Sequence, residues 1–268
     1  MKSFETLIYR QSGSVATISL NRPDTFNALN ETICLELQDV FGEIAARDDI
    51  RAVVLTGEGR AFSAGQDLRS MESDGVDPAT FVKDVLRRRY APLILAMREL
   101  PKPIVGAING VAAGAGMSLA LATDIRVASN QASFMQAFSR VGLVPDAGSN
   151  YFLVQLVGLP RALELAWTAR RVGAEEALEL GLVNRVVPAE DLMATAGELA
   201  ASLAKGPATA IGLTKAAMIK ATGAGLAEIL DLEAELQAQC IVTDDFQEGV
   251  NAFLEKREPR FGQTPSRT

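Results

Sequence analysis

Two stretches of small residues constrain this chain more than anything else in it. Ala61-Phe-Ser-Ala-Gly-Gln-Asp-Leu68 and Gly110-Val-Ala-Ala-Gly-Ala-Gly-Met-Ser-Leu-Ala-Leu-Ala-Thr-Asp124 each set glycine and alanine just before an apolar helical pattern. Without bulky side chains, another segment or a ligand can approach the main chain closely. The first N–H groups of a helix lack intrahelical partners, and their partial positive charge suits an anion. Singly, each turn is better explained by close helix-on-sheet packing. As a pair, each aiming one N–H at the same oxygen, they would form an oxyanion hole.

Strand and helix periods alternate around these turns. Apolar Ala16, Ile18 and Leu20 alternate with Val15, Thr17 and Ser19, which predicts a half-buried strand over 14–20, entered by a hairpin at Gln11-Ser-Gly13. Ile33, Leu37, Val40, Phe41 and Ile44 recur at helical spacing behind a candidate cap, Asn30. Ala52-Val-Val-Leu-Thr56 reads as a buried strand. A helix near 78–98, a strand at Pro103 to Ala107, a helix from about Ala113 and a strand around Ile125 to Ala128 follow. This strand, strand, helix recurrence predicts an α/β architecture with crossover connections. From about residue 188 only helical patterns remain, over 188–204, 207–221, 225–241 and 244–257, separated by Gly206-Pro207 and Thr222-Gly-Ala-Gly225.

Composition narrows the chemistry. Of 268 residues 48% are hydrophobic, enough for a substantial core. The net charge of −7, with no long basic run, argues against nucleic-acid binding. Apolar stretches shorter than the roughly 20 residues of a membrane span, and no apolar signal region after Met1-Lys-Ser-Phe-Glu5, predict a cytoplasmic protein off the membrane. The chain has no histidine, which rules out Ser-His-Asp and Cys-His catalysis and histidine-based zinc sites. Carboxylates, lysine, tyrosine and backbone dipoles remain. Cys34 and Cys240 lie in no metal-binding spacing, so no metal is expected.

Five segments, Asn21-Arg-Pro23, Ala64-Gly-Gln-Asp67, Lys102-Pro-Ile-Val-Gly-Ala-Ile-Asn-Gly110, Gly142-Leu-Val-Pro-Asp146 and Glu248-Gly-Val-Asn-Ala-Phe-Leu-Glu-Lys-Arg257, occur in order along almost the whole chain. No one of them is specific; jointly they resemble the enoyl-CoA hydratase/isomerase superfamily, the crotonase family. The resemblance implies a crotonase-like spiral of ββα units over 1–190 that binds an acyl-CoA thioester. It also implies a C-terminal helical region, 191–268, that packs a homotrimer or a dimer of trimers. Coenzyme A would enter as part of the substrate, with no separate cofactor. The backbone N–H groups of Gln66 and Ala115 would be the oxyanion donors, with Ala64, Asp67, Leu68, Phe138, Phe253 and Lys256 around the substrate and its CoA. Asp67 is expected chiefly to brace its turn and Asp124 to be structural. Lys215 and Lys220 are further cations able to meet CoA phosphates, though only Lys256 matches a family position at the nucleotide end.

The sequence departs from the hydratases of that family at their two glutamates, which align with Ser118 and Phe138. Asp146 matches the catalytic aspartate of several family isomerases. From the residues alone it is better explained as a cap of the helix that follows. Lined by Leu143, Val144, Phe138 and Met117, it would be a desolvated general base. The resemblance therefore favours an acyl-CoA isomerase, nearest the ring-epoxide phenylacetyl-CoA isomerase branch, although Gly148-Ser-Asn150 stands where that branch has Gly-Gly-Thr. An enoyl-CoA hydratase of fatty-acid or aromatic-acid breakdown, and a non-catalytic acyl-CoA-binding homologue, are the alternatives. The shape of the acyl pocket is assigned to the loop from Met71 to Arg89.

Overall fold

A computed structural model describes residues 3–70 and 75–262. The hairpin of β1 (Leu7–Ser12) and β2 (Val15–Leu20) leads into α1 (Glu31–Ala45), capped by the Asn30 side chain, which accepts from the N–H of Ile33. Next come β3 (Ala52–Gly57), β4 (Ala61–Ser63), α2 (Pro78–Val85) and α3 (Ala91–Glu99). Another pair, β5 (Ile104–Ile108) and β6 (Val111–Ala113), feeds α4 (Ala115–Ala122), and β7 (Ile125–Ser129) with β8 (Ser133–Met135) precedes α5 (Ser149–Val157) and α6 (Leu159–Thr168). The chain continues through β9 (Val172–Gly173), α7 (Ala174–Glu179) and β10 (Arg185–Val187). It finishes in α8 (Leu192–Ala204), α9 (Ala208–Ala221), α10 (Leu226–Ile241) and α11 (Asp244–Glu255).

The paired strands separate into two sheets. β1-β2-β3-β5-β7-β10 form one and β4-β6-β8-β9 the other, so the second strand of three successive pairs crosses to the smaller sheet before the helix begins. All neighbours are parallel except β1/β2 and β8/β9. Three-residue strands are too short to carry a period, which is why only the longer member of each pair is visible in the sequence.

Two layers of core flank the large sheet. Ile18, Leu20, Leu37, Phe41, Leu55 and Leu93 belong to the larger cluster on one face. On the other, Leu192, Ala196, Ala200 and Ala204 of α8 recur every four residues and pack on Val15, Val54, Val105 and Val127. β2 is therefore buried on both faces rather than half-buried, because α8 covers the side expected to meet solvent. α10, by contrast, buries none of its residues. Among the described residues no helix is long and apolar enough to cross a membrane.

Two helix boundaries correct the sequence reading. Ala113 ends β6, paired with Met135, and α4 begins only at Ala115 because Gly114, with φ +50°, turns the chain between them. The helix expected over 78–98 contains a single π turn, Leu86–Tyr90, in which the N–H of Ala91 reaches the carbonyl of Leu86. Pro92 explains the site of this irregularity: lacking an N–H, it leaves the carbonyl four residues back, that of Arg88, without its α-helical donor. The Gln38 amide on α1 instead donates to the carbonyls of Arg89 at 2.9 Å and Arg88 at 3.3 Å.

Candidate active site

The first turn is fixed from one side only. Leu29 N–H donates to the Gly65 carbonyl at 2.7 Å, and its own carbonyl accepts from the N–H of Asp67 at 2.9 Å. In this parallel bridge the intervening residue, Gln66, directs its own N–H away from Leu29. The carboxylate of Asp67 accepts from Arg22 Nη2 at 2.9 Å and from the N–H of Arg69 at 3.2 Å. Asp67 braces the turn and does not line the cavity; it pairs there with the half-buried Arg22.

The second turn lies directly against the first. Gly114 N–H donates to the Met135 carbonyl at 2.9 Å, and Ala115, at the first position of the wholly buried α4, carries one of the helix's unpaired donors. A side chain at Gly65, where φ is +94°, would place its Cβ 2.6 Å from the carbonyl oxygen of Ala113 and 3.3 Å from the nitrogen of Ala115. Such an approach admits only glycine. Gln66 and Ala115 thereby line a single cavity, with Ala64 and Leu68 beside them and Phe138, Leu143 and Asp146 completing it.

Asp146 enters this cavity from the loop that precedes α5. Its carboxylate does not cap the helix; Gly148 occupies the cap position. One carboxylate oxygen, Oδ1, is buried and has no hydrogen-bond partner, and burial pushes the carboxyl up to about 6. What holds the loop is its backbone: the Asp146 carbonyl accepts from the N–H of Ser149 at 2.9 Å and from the Ser118 hydroxyl at 3.0 Å. Ser118 is fully buried and braces the Asp146 loop against α4. Ala147, with φ +49°, is left-handed without being glycine, a strain of about 1–2 kcal/mol stored next to Asp146.

Other expected lining residues divide. Met117 is behind the wall, its sulfur accepting from Gln136 at 3.4 Å, and Val144 is 78% exposed. Val82, Val85, Leu86 and Tyr90 take their places. Val82, Val85 and Leu86 belong to the segment assigned to the acyl pocket, Met71 to Arg89, of which residues 71–74 lie outside the described residues; Tyr90 follows directly after it. Phe253 and Lys256, at the far end of α11, are not brought to this cavity; Phe253 is 83% exposed, and Lys256 has turned left-handed to end the helix. Lys215 is largely buried, paired with Asp124 at 2.9 Å and donating to the Met97 carbonyl at 2.9 Å, so it docks α9 on the core rather than facing a phosphate. Lys220 pairs with Glu228 on the surface at 2.7 Å.

The raised carboxyl has a consequence for stability. Below the ordinary value of 3.8 Asp146 is protonated in both folded and unfolded chains; above about 6 it is charged in both, and the cost of burying that charge is complete. Stability from this group therefore falls as pH rises between those values, opposite to an ion-paired carboxylate. Discounted for partial exposure, the cost is about 1–2 kcal/mol. Asp146→Asn is expected to melt a few degrees above the parent at pH near 8 and equally with it near 3. Melting curves at both values check this.

A spiral of paired strands feeding two sheets, closed by C-terminal helices, is the crotonase-like α/β fold. The family profile described as "Enoyl-CoA hydratase/isomerase" matches residues 10–264, and the chain belongs to that family. It is 44% identical over 259 residues to a Rhodobacter capsulatus protein named "Probable enoyl-CoA hydratase", covering 97% of this chain and 98% of the relative. It is 40% identical over 257 residues to the 1,2-epoxyphenylacetyl-CoA isomerase of Escherichia coli, covering 96% and 98%. Among solved structures, an enoyl-CoA hydratase from Geobacillus kaustophilus superposes with a TM-score of 0.91 at 38% identity, covering 98% of this chain and 100% of that one. The chain is an enzyme of acyl-CoA hydratase/isomerase type.

Proposed function

We propose that the chain is an acyl-CoA isomerase whose one acid–base group is Asp146 and whose oxyanion donors are the N–H groups of Gln66 and Ala115. The observation that carries this reading is the buried, unpartnered carboxylate oxygen of Asp146 in the cavity both turns line, with Phe138 and Ser118 where a hydratase would have carboxylates. Asp146 takes a proton from the carbon next to the thioester carbonyl, and the C–H electrons move to the carbonyl oxygen. Two N–H groups hold the resulting dienolate. The carboxylic acid then returns the proton two carbons further on, the electrons flow back, and the double bond has moved with no atom gained or lost. This cycle asks for no metal and no cofactor beyond the CoA of the substrate.

Rearrangement of a ring-epoxide phenylacetyl-CoA is the particular reaction favoured by likeness to the Escherichia coli isomerase. Hydration is the second reading, favoured by the name of the Rhodobacter capsulatus relative. It needs a water positioned and a proton delivered, and Phe138 offers neither charge nor hydrogen bond. Incubation with enoyl-CoA and epoxyphenylacetyl-CoA esters, followed by mass spectrometry, tests the reading. Isomerisation leaves the mass unchanged; a product one water heavier contradicts it.

The homotrimer, or dimer of trimers, is proposed to form through α9 to α11, where Met218 is 69%, Leu226 75% and Phe253 83% exposed. Large apolar groups so exposed are what a subunit interface covers. Phe253 and Lys256 then stand at a boundary between protomers, where they can hold the CoA of a cavity. Light scattering is expected to give three or six chains per particle; a monomer at working concentration contradicts the assembly.

A further inference from the structure

Tyr90 takes no part in the proton transfer, yet it lines the cavity while only 3% exposed, and its hydroxyl is committed to the first oxyanion turn. The hydroxyl donates to Gln66 Oε1 at 2.5 Å. On its other side the same amide donates from Nε2 to the carbonyl of Asp67 at 3.1 Å. The Gln66 side chain is thus stretched between Tyr90 and its own turn. Its backbone N–H, the proposed oxyanion donor, belongs to the residue so held.

The mount of Tyr90 is itself irregular. A π turn advances the facing of later side chains by about 100° relative to a regular helix, one residue being inserted. Tyr90 ends that turn, and the turn is clamped to α1 twice, by the Gln38 amide on the carbonyls of Arg88 and Arg89 and by an Arg89–Glu31 ion pair at 3.1 Å. Tyr90 is therefore presented to Gln66 by a rigid element, not by a loop.

We propose that Tyr90 is a positioning residue for the oxyanion hole: through the Gln66 side chain it keeps the Gln66 N–H aimed at the thioester oxygen as the acyl group enters. The inference rests on the oxyanion reading of Gln66 and Ala115. Binding of the ground-state ester depends little on this aim, and stabilisation of the dienolate depends on it strongly. Loss of the Tyr90 hydroxyl should accordingly lower kcat about three- to tenfold and leave KM unchanged.

Tyr90→Phe keeps the ring in the core and removes only the donor; Gln66→Met keeps the backbone N–H and side-chain length and removes the acceptor. Each variant, and the double, is assayed for kcat and KM. Each is also titrated with a conjugated aryl-enoyl CoA ester, whose absorption moves to longer wavelength as its carbonyl is polarised. Both single variants should show the kcat loss and a smaller red shift than the parent, and the double should be no worse than the worse single. Gln66→Met reports alone if Tyr90→Phe lowers the melting temperature. Parental kcat and red shift in either single variant, or losses that multiply in the double, overturn the role of Tyr90. No red shift in the parent overturns the oxyanion hole, and the inference falls with it.

Discussion

Asp146→Asn is expected to bind CoA esters as the parent does and to turn them over about 10²–10⁴-fold more slowly. The amide keeps the size and polarity of the carboxylate, and the Ser118 and Ser149 contacts that hold the loop are to its main chain, so the site stays assembled. What is lost is the ability to take a proton. In the parent, only the charged carboxylate is a base, so the rate should rise with pH through the raised value of about 6 and level off above it. Single-turnover kinetics beside a binding titration measure both. A variant that binds and retains near-parental turnover removes Asp146 from the proton transfer.

Gly65→Ala is expected to damage the site severely. The added Cβ would meet the Ala113 carbonyl at 2.6 Å with φ at +94°, and neither neighbour can yield without parting the two turns. Strain of this kind costs about 1–3 kcal/mol of stability. If the Gln66 N–H is the proposed oxyanion donor, moving it off the thioester oxygen should cost about 2.7–4 kcal/mol in the barrier, or about 10²–10³ in kcat. Gln66→Ala, which leaves the N–H in place, should cost far less. A folded Gly65→Ala protein with parental kcat would show that the approach of the turns has no part in catalysis.

The turns could be placed from residue type at short range, glycine and alanine before a helix, whereas Asp146 was singled out only through the family resemblance carried by Gly142-Leu-Val-Pro-Asp146, its local setting alone favouring a helix cap. Strands, too, could be placed where a period runs long enough, as in β2 and β3. The rest depended on partners distant in the chain. Asp67 is held by Arg22 and Lys215 by Asp124, and nothing local marks either pair. Two-sided burial of β2 needed α8, more than a hundred residues on, to fold across it. The place of Tyr90 is the instructive miss. Pro92 inside an apolar helical pattern was the available signal for an irregular turn, but the partner that makes the turn stable, Gln38, lies on another helix.

In the proposed reaction one carboxylate moves a proton and no water is added. The most direct test supplies the purified protein with a 3-enoyl-CoA ester in ¹⁸O-labelled water and follows the conjugated isomer and the hydrated product by mass. The expected result is an unlabelled isomer of unchanged mass, formed well ahead of any hydrated product, with the isomer formed about 10²–10⁴-fold more slowly by Asp146→Asn. A labelled hydroxyacyl-CoA formed as fast as the isomer, at a kcat/KM on the order of 10⁶ per molar per second or above, would contradict it and make the chain a hydratase.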